Sequence, residues 1–164
     1  LNNLNKIKKM SYNTLILSGG SVKCLTLFGC LQYFFDNDLL STNQIKTYIC
    51  TSVGSIVSFL LIIGYKPIEI LIYLINHSVL EKLEMNSIKN ILNDEGLYDW
   101  SKYVELVLIN MCNEKTIIPP TLNMIYQEKG IELIIITTNF TKQCIEYLNY
   151  KTHPDLNCFF SSFE

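Results

Sequence analysis

One strand-to-helix junction constrains the fold of this chain more than any other feature of its sequence. Residues 48–50 are a short apolar run typical of a buried strand, and residues 56–61 continue as an apolar helix. Ser52 stands between them, two residues before Gly54. A serine on such a sharp turn exposes its hydroxyl beside the amides of the helix N-terminus, where developing negative charge is stabilised. The junction therefore predicts a nucleophile elbow, a structure typical of serine acyl-transfer chemistry.

The junction matches the usual G-x-S-x-G pattern only in part. Cys50 stands where a glycine normally lets the strand and helix backbones approach each other, whereas Val53 and Gly54 fit the pattern. A serine ahead of an apolar run is also a common helix N-cap. The junction alone is therefore compatible with either a catalytic serine or a capped core helix.

Length and composition predict one globular domain, residues 13–164, after a polar lead-in at residues 1–12. The chain has 164 residues, of which 49% are hydrophobic and 17% charged, and its formal net charge is −2. That length suffices to bury a substantial core, and that net charge gives no field to attract a phosphate backbone. We therefore expect neither disorder nor a nucleic-acid partner, while the oligomeric state stays open.

The spacing of cysteine and histidine indicates no metal site and no cofactor. The six cysteines include no C-x-x-C pair, and His77 and His153 lie far apart in the sequence. We see no secretory signal, and the apolar run over residues 56–65 is too short to span a bilayer. We therefore expect reduced thiols and a protein of the cytoplasm or host-cell cytosol, with peripheral membrane contact left open.

Hydrophobic periodicity predicts strands that alternate with helices. Strands are predicted at residues 14–17 and 48–50, each followed by a helix, which favours a parallel sheet with right-handed crossovers. The first helix has apolar residues at helical spacing, namely Cys24, Leu27, Phe28, Leu31 and Phe34. A further helix is predicted from residue 67 to about residue 77. Four of its apolar residues lie on one side: Ile68, Leu71, Leu74 and Ile75.

Two further helices and a hairpin of two strands are predicted in the second half of the chain. The clearest amphipathic helix follows Asp99 and is predicted to bury Trp100, Tyr103, Val104, Val107, Leu108 and Met111. Pro119 and Pro120 are predicted to start a short helix. Residues 131–138 and 143–147 are predicted to be strands joined as a hairpin.

A glycine-containing loop between the first strand and the first helix is the second chemical signal. In the segment Ser18-Gly19-Gly20-Ser21-Val22-Lys23-Cys24, consecutive amides can converge with the helix dipole on one anion. By itself such a loop could bind a phosphate or simply turn the chain. Adjacent parallel strands, however, would bring this loop and the elbow to the same edge of the sheet.

The two motifs, in this order and spacing, resemble those of the patatin-like phospholipase family. The family's G-G-G-x-[KR]-G loop corresponds to residues 19–24, and its G-x-S-x-G elbow corresponds to residues 50–54. The resemblance continues through the sequences GY at 64–65, GLYD at 96–99 and TTN at 137–139. It extends from about Thr14 to the end of the chain.

The resemblance implies a three-layer α/β/α fold with a mainly parallel central sheet. It also implies a lipid acyl hydrolase that needs no metal or cofactor and that cleaves a phospholipid or another acyl-ester lipid. Ser52 would be the nucleophile, and the oxyanion hole would be formed by backbone amides of Gly19, Gly20 and Ser21. Lys23 would support the loop, and the elbow would comprise Cys50, Val53 and Gly54.

The catalytic base is the part of the family pattern that this sequence lacks. The family pairs its serine with an aspartate in a D-G-[GA] motif downstream of the elbow. Every aspartate here is followed by a residue other than glycine: Asp36, Asp38, Asp94, Asp99 and Asp155. We therefore expect the chain to be C-terminally incomplete, truncated before that motif, and inactive by itself.

Two alternatives to this hydrolase remain. A degenerate domain that binds lipid or a protein partner without turnover would suit the missing aspartate and the replaced glycines at Ser21, Cys24 and Cys50. An α/β-hydrolase esterase would instead use His153 with Asp94 or Asp99, in the chain order Ser, Asp, His.

Overall fold

The structure is a computed structural model that describes residues 12–20, 24–79, 81 and 100–158. Strands and helices alternate along these residues before the chain ends in a hairpin. The elements are β1 (Thr14–Leu17), α1 (Cys24–Asp36), β2 (Thr47–Cys50), α2 (Val53–Ile62), α3 (Pro67–Asn76), α4 (Trp100–Glu114), α5 (Leu122–Lys129), β3 (Glu132–Asn139) and β4 (Cys144–Leu148). The predicted strands, the first helix and the hairpin all occur within one or two residues of their expected bounds.

The four strands form one sheet in the order β1-β2-β3-β4. The first three strands are parallel, and β4 pairs with β3 in the antiparallel sense. The register aligns Leu17 with Cys50 and Cys50 with Ile135, so β1 and β2 end side by side. We call this border the carboxyl edge of the sheet. The predicted mixed α/β fold around a mainly parallel sheet is confirmed.

The two faces of the sheet differ in burial. The helix-covered face carries the buried residues Leu17, Tyr48, Cys50, Leu133 and Ile135. The residues between them point the other way, and there Ile16 is 69% exposed and Ile145 is 62% exposed. Successive right-handed crossovers that advance in one direction place their helices on one side of a sheet. The described helices therefore build the core against a single face, and the second helix layer of the expected three-layer fold is not among the described residues.

Two helices supply much of that core. Eight of the ten residues of α2 are buried, which makes it the central helix of this layer. Helix α4 turns Val104, Leu108 and Met111 into the core, as its periodicity predicts. Tyr65, which follows α2, links both helices because its hydroxyl donates to the carbonyl oxygen of Met111 at 2.8 Å.

The buried face of α3 differs from the prediction. Pro67, Ile70 and Tyr73 are its buried residues, whereas Ile68 is 40% exposed and Ile75 is 61% exposed. Nearly every residue of this helix is apolar, so periodicity cannot single out one face. Tertiary contact determines the buried face, since α3 packs beside α1. The Ile68 amide donates to Oε1 of Gln32 at 3.0 Å.

Two smaller predictions are also wrong. Phe34 of α1 is 42% exposed and lies edge-on to the ring of Tyr33, because α1 buries only the narrow stripe that includes Phe28 and Leu31. The short helix starts at Leu122 rather than at the two prolines before it. Thr121 caps that helix, because its hydroxyl accepts a hydrogen bond from the amide of Met124.

Within the described residues, no individual helix combines the length and the apolar character that a membrane span requires. Helices α2 and α3 meet that requirement only when taken together, and they are bent by 116° at their junction.

The corrected face of α3 can be tested with two substitutions in the same helix. Ile70→Ala removes a side chain that is 1% exposed, so it should lower the free energy of unfolding by about 2–5 kcal/mol. Ile72→Ala, at a position that is 49% exposed, should change it by less than about 0.5 kcal/mol. Urea denaturation of both variants measures the difference, and equal losses would contradict the assignment.

Candidate active site

Ser52 has the backbone conformation of a sharp strand-to-helix turn. Its φ is 50° and its ψ is −133°, a combination that L-residues rarely adopt and that costs about 1–3 kcal/mol. The residue is exposed and lies at the N-terminus of α2, but its side chain makes no capping hydrogen bond. These features favour a projecting hydroxyl over the alternative of a capped core helix.

Three backbone hydrogen bonds hold the turn. The amide of Thr51 donates to the carbonyl of Leu17 at 3.2 Å, which ties the elbow to the end of β1. The amide of Gly54 donates to the carbonyl of Thr51 at 3.0 Å, and the amide of Ser55 donates to that of Ser52 at 2.8 Å. The strained residue is therefore fixed on both sides by the strand behind it and the helix ahead.

Gly54 lets α2 begin directly against β1. A Cβ atom added to Gly54 would overlap the carbonyl oxygen of Leu17 and would lie 2.9 Å from that of Ser18. Both clashes involve backbone atoms, which cannot rotate away as a side chain can. The second glycine of the G-x-S-x-G pattern is therefore sterically required here.

The glycine loop and the elbow meet at the carboxyl edge. A Cβ atom added to Gly19 would lie 3.0 Å from Cβ of Ser52 and 3.6 Å from its Oγ. Gly19 and Gly20 are both exposed. A side chain at residue 19 would therefore crowd Ser52, and the glycine keeps the surroundings of the hydroxyl free of one. Ser21 and Lys23, the other predicted loop residues, lie outside the described residues.

Cys50, the residue in the place of the first glycine, is accommodated in the core. Its side chain is 2% exposed, and its thiol donates to the carbonyl of Ile134 at 3.4 Å. Burial raises the pKa of this thiol, and the nearby hydroxyls of Ser55 and Ser58 oppose the rise. Residue 50 ends a regular strand, so its backbone does not need a glycine.

A charged cluster at the far end of β3 was not anticipated from the sequence. Glu146 accepts hydrogen bonds from Asn139 at 3.1 Å and from Lys142 at 2.8 Å, and Asn139 also accepts one from the Lys142 amide. The contact with Lys142 lowers the pKa of Glu146 and raises that of Lys142. The cluster orders the hairpin turn, which lies beyond the carboxyl edge because β3 continues past Ile135 to Asn139. Its sequence signal, an Asn-x-x-Lys turn, is too common to be specific.

The histidine of the predicted esterase alternative lies elsewhere. β4 lies two strands from β2 in the sheet and ends at Leu148, level with Ile135, so His153 follows a strand on the far side of β3 from the elbow. The ring Nδ1 of His153 is 2.9 Å from the hydroxyl of Thr152. His77 stacks on Tyr73 at the end of α3. Asp94 and Asp99 lie outside the described residues.

No three His, Cys, Asp or Glu side chains form a metal-ligand group in the part of the chain that the structure describes.

The steric role of Gly54 predicts opposite effects for two glycine substitutions. Gly54→Ala should lower the free energy of unfolding by about 1–3 kcal/mol, because the new methyl group meets the backbone of β1. Gly29→Ala, in α1 with open space around it, should raise that free energy by about 0.5–1 kcal/mol. Chemical denaturation measures both, and a neutral Gly54→Ala would show that α2 does not rest on β1 as described.

Two viral proteins are similar to this chain in sequence. Protein 463L of Invertebrate iridescent virus 6, named a probable lipid hydrolase, is 31% identical over 153 residues, which cover 92% of this chain and 51% of that protein. The uncharacterized protein R571 of Acanthamoeba polyphaga mimivirus is 33% identical over 140 residues, which cover 84% of this chain and 46% of that protein. The chain thus spans about half the length of these relatives. No family model matches it.

Solved structures of a bacterial effector share the fold. The type III effector protein ExoU superposes with a TM-score of 0.61 at 15% sequence identity, over 93% of this chain and 38% of that one. ExoU in its heterodimeric complex with SpcU, from Pseudomonas aeruginosa, gives a TM-score of 0.59 at 19% identity, over 94% and 36% of the two chains. The relatives and the fold thus support the resemblance to the patatin-like phospholipase family that the paired motifs carry.

Proposed function

We propose that the protein to which this chain belongs is a lipid acyl hydrolase that forms an acyl-enzyme intermediate on Ser52. One observation carries the proposal: an exposed serine at a φ of 50° lies directly against a glycine of a neighbouring loop. Strain of this kind persists where the surrounding structure enforces it, and it is concentrated at functional sites. The name of the viral relative 463L, a probable lipid hydrolase, supports the same chemistry.

The proposed mechanism follows from the two turns at the carboxyl edge. Oγ of Ser52 attacks the ester carbonyl while a base accepts its proton, and the carbonyl oxygen becomes an oxyanion. Amides of Gly19, Gly20 and Ser21 would donate to that oxyanion, assisted by the positive end of the α2 dipole. Lys23 would hold the loop in place. Collapse releases the alcohol portion of the lipid, and water then hydrolyses the acyl-serine.

The base in this proposal is the aspartate of a D-G-[GA] motif, which the 164-residue chain lacks. The relatives are about twice as long as this chain, which leaves room for a D-G-[GA] motif in the remainder of the protein. Residues 13–164 would then be the first part of a larger catalytic domain. The alternative base, His153, loses support because it follows β4, which lies two strands from the strand that leads into Ser52.

The proposed substrate class is phospholipids or other acyl-ester lipids, and the proposed mechanism uses only protein groups. An enzyme with such substrates would work at a membrane surface by peripheral contact, from the cytoplasm or host-cell cytosol. Exposed apolar residues that could take part in such contact include Ile68, Ile72 and Ile75 of α3. A domain that binds lipid without turnover is the second candidate, favoured by the replaced glycines at Ser21, Cys24 and Cys50.

The direct test of the nucleophile uses a fluorophosphonate probe on the whole protein. Ser52→Ala should abolish labelling and should reduce ester hydrolysis on the order of 10⁴-fold, since one member of a catalytic unit is removed. Ser41→Ala is the matched control, because Ser41 precedes β2 at the opposite edge of the sheet and its hydroxyl makes no capping bond. Equal labelling of the wild type and Ser52→Ala would contradict the hydrolase, and lipid binding without labelling would favour the second candidate.

The missing base generates a separate prediction for the 164-residue chain. Purified alone, it should show no esterase turnover above its own Ser52→Ala variant, whereas the whole protein should hydrolyse lipid esters. A fluorogenic short-chain ester assay compares them under the same conditions. Turnover by the 164-residue chain would show that the base lies within it.

A further inference from the structure

The hairpin of β3 and β4 carries the most exposed large hydrophobic side chain of the described residues. Phe140, in the turn between the two strands, is 85% exposed. Two apolar side chains of β4 are exposed as well, Ile145 at 62% and Tyr147 at 57%. A single exposed apolar residue is ordinary, whereas several on one projecting element indicate a contact surface. We call residues 140–143, which join the strands, the hairpin tip.

The hairpin tip projects past the edge of the sheet that carries the candidate active site. Cys50, the last residue of β2, pairs with Ile135, whereas β3 continues as far as Asn139. The extra length of β3 is about 13 Å, at about 3.3 Å per strand residue. Ser52 follows β2 at the same edge. A surface that approaches the carboxyl edge of the described sheet would therefore meet the tip ahead of the strand end that leads into Ser52.

Hydrogen bonds hold the hairpin tip in one conformation. Oδ1 of Asn139 accepts a hydrogen bond from the Lys142 amide at 2.9 Å, and its Nδ2 donates to Oε1 of Glu146 at 3.1 Å. Gln143 has a φ of 52°, which turns the chain back into β4. An ordered turn loses little conformational entropy when it docks, so its exposed side chains are well placed for binding.

The tip presents a positive charge together with its apolar ring. Nζ of Lys142 lies 2.8 Å from Oε1 of Glu146, but the lysine side chain is 68% exposed and the glutamate side chain 22%. The cation is therefore the outward member of this pair. An aromatic ring beside an outward lysine complements an anionic bilayer, in which phosphate groups lie over acyl chains.

We propose that the hairpin tip docks the protein on the surface of an anionic phospholipid bilayer, with the Phe140 ring among the acyl chains and the Lys142 ammonium at the level of the phosphates. The choice of a bilayer as the partner rests on the proposed function, because a lipid hydrolase has to reach a substrate that lies in a membrane. Docking through the tip would direct the carboxyl edge, and with it Ser52, toward the lipid.

Vesicle binding by the whole protein tests the apolar part of this contact. Phe140→Ser should lower the affinity for phosphatidylcholine vesicles that contain phosphatidylserine about 10-fold, because no ring then enters the bilayer. Ile118→Ser is the matched control, since Ile118 is 81% exposed on the loop between α4 and α5. This control should leave the affinity unchanged. Vesicle sedimentation measures both, and circular dichroism establishes that both variants are folded.

The charged part of the contact has its own variants. Lys142→Gln should lower the affinity for the vesicles that contain phosphatidylserine about 5-fold, and it should not change binding to vesicles of phosphatidylcholine alone. Lys142→Arg keeps the charge and should bind like the wild type. An equal loss on both kinds of vesicle would contradict a role for the lysine charge.

Two further readouts distinguish a bilayer from a protein partner. Phe140→Trp keeps a large ring, so lipids brominated on their acyl chains should quench its fluorescence more than that of the wild type. The ratio of vesicle-lipid hydrolysis to hydrolysis of a soluble short-chain ester should fall about 10-fold in Phe140→Ser, in parallel with its affinity. The same ratio should stay constant in Ile118→Ser.

Three results would overturn the proposal. They are vesicle binding by Phe140→Ser equal to that of the wild type, an equally large loss in Ile118→Ser, and no added quenching of Phe140→Trp by the brominated lipids. The last result would assign the tip to a contact with protein. Failure of the proposed function is distinguishable, because the binding measurements need no turnover: a protein that binds vesicles through Phe140 but takes up no fluorophosphonate would retain the docking and lose the hydrolase.

Discussion

The close approach of α2 to the end of β1 is the constraint on which the candidate site depends. Gly54 rests against the carbonyls of Leu17 and Ser18, and no other residue type fits there without moving backbone. This contact aligns the start of α2 with the end of a neighbouring strand. As a result the turn at Ser52 is sharp, its φ is positive, and its hydroxyl projects beside Gly19. This one contact therefore relates the order of β1 and β2, the start of α2 and the position of the glycine loop.

The strain at Ser52 is sustained by the burial of the helix that follows it. A non-glycine residue at positive φ costs about 1–3 kcal/mol, which is small beside the burial of five apolar α2 side chains, at about 1.5–3 kcal/mol for each large one: Val57, Phe59, Leu60, Leu61 and Ile62. The parallel pairing of β1 and β2 also fixes the turn, since the two strands end level with each other. The geometry of the turn at Ser52 is thus a consequence of ordinary packing, and the two sequence motifs mark where that packing brings Ser52 and the glycine loop together.

Much of this architecture could be predicted from the sequence, and the exceptions have physical reasons. Short apolar strands, the hairpin and the α4 core face were predicted because their periodicity or turn residues permit one interpretation. The buried face of α3 could not be predicted, because that helix is apolar on nearly every side. Its contact with α1 determines which side is buried. The fit of Cys50 also depends on tertiary structure, because its side chain is buried in the core and its thiol donates to the carbonyl of Ile134 on β3. The Asn139, Lys142 and Glu146 cluster likewise forms only when the hairpin closes.

The most direct measurement is a crystal structure of the whole protein after reaction with a fluorophosphonate. The phosphonyl oxygen mimics the oxyanion that acyl transfer creates at the nucleophile. Our account predicts phosphorus bonded to Oγ of Ser52, with that oxygen about 2.7–3.1 Å from backbone amides of residues 19–21. A phosphonyl oxygen that faces solvent or other donors, or a glycine loop turned away from residue 52, would contradict the account.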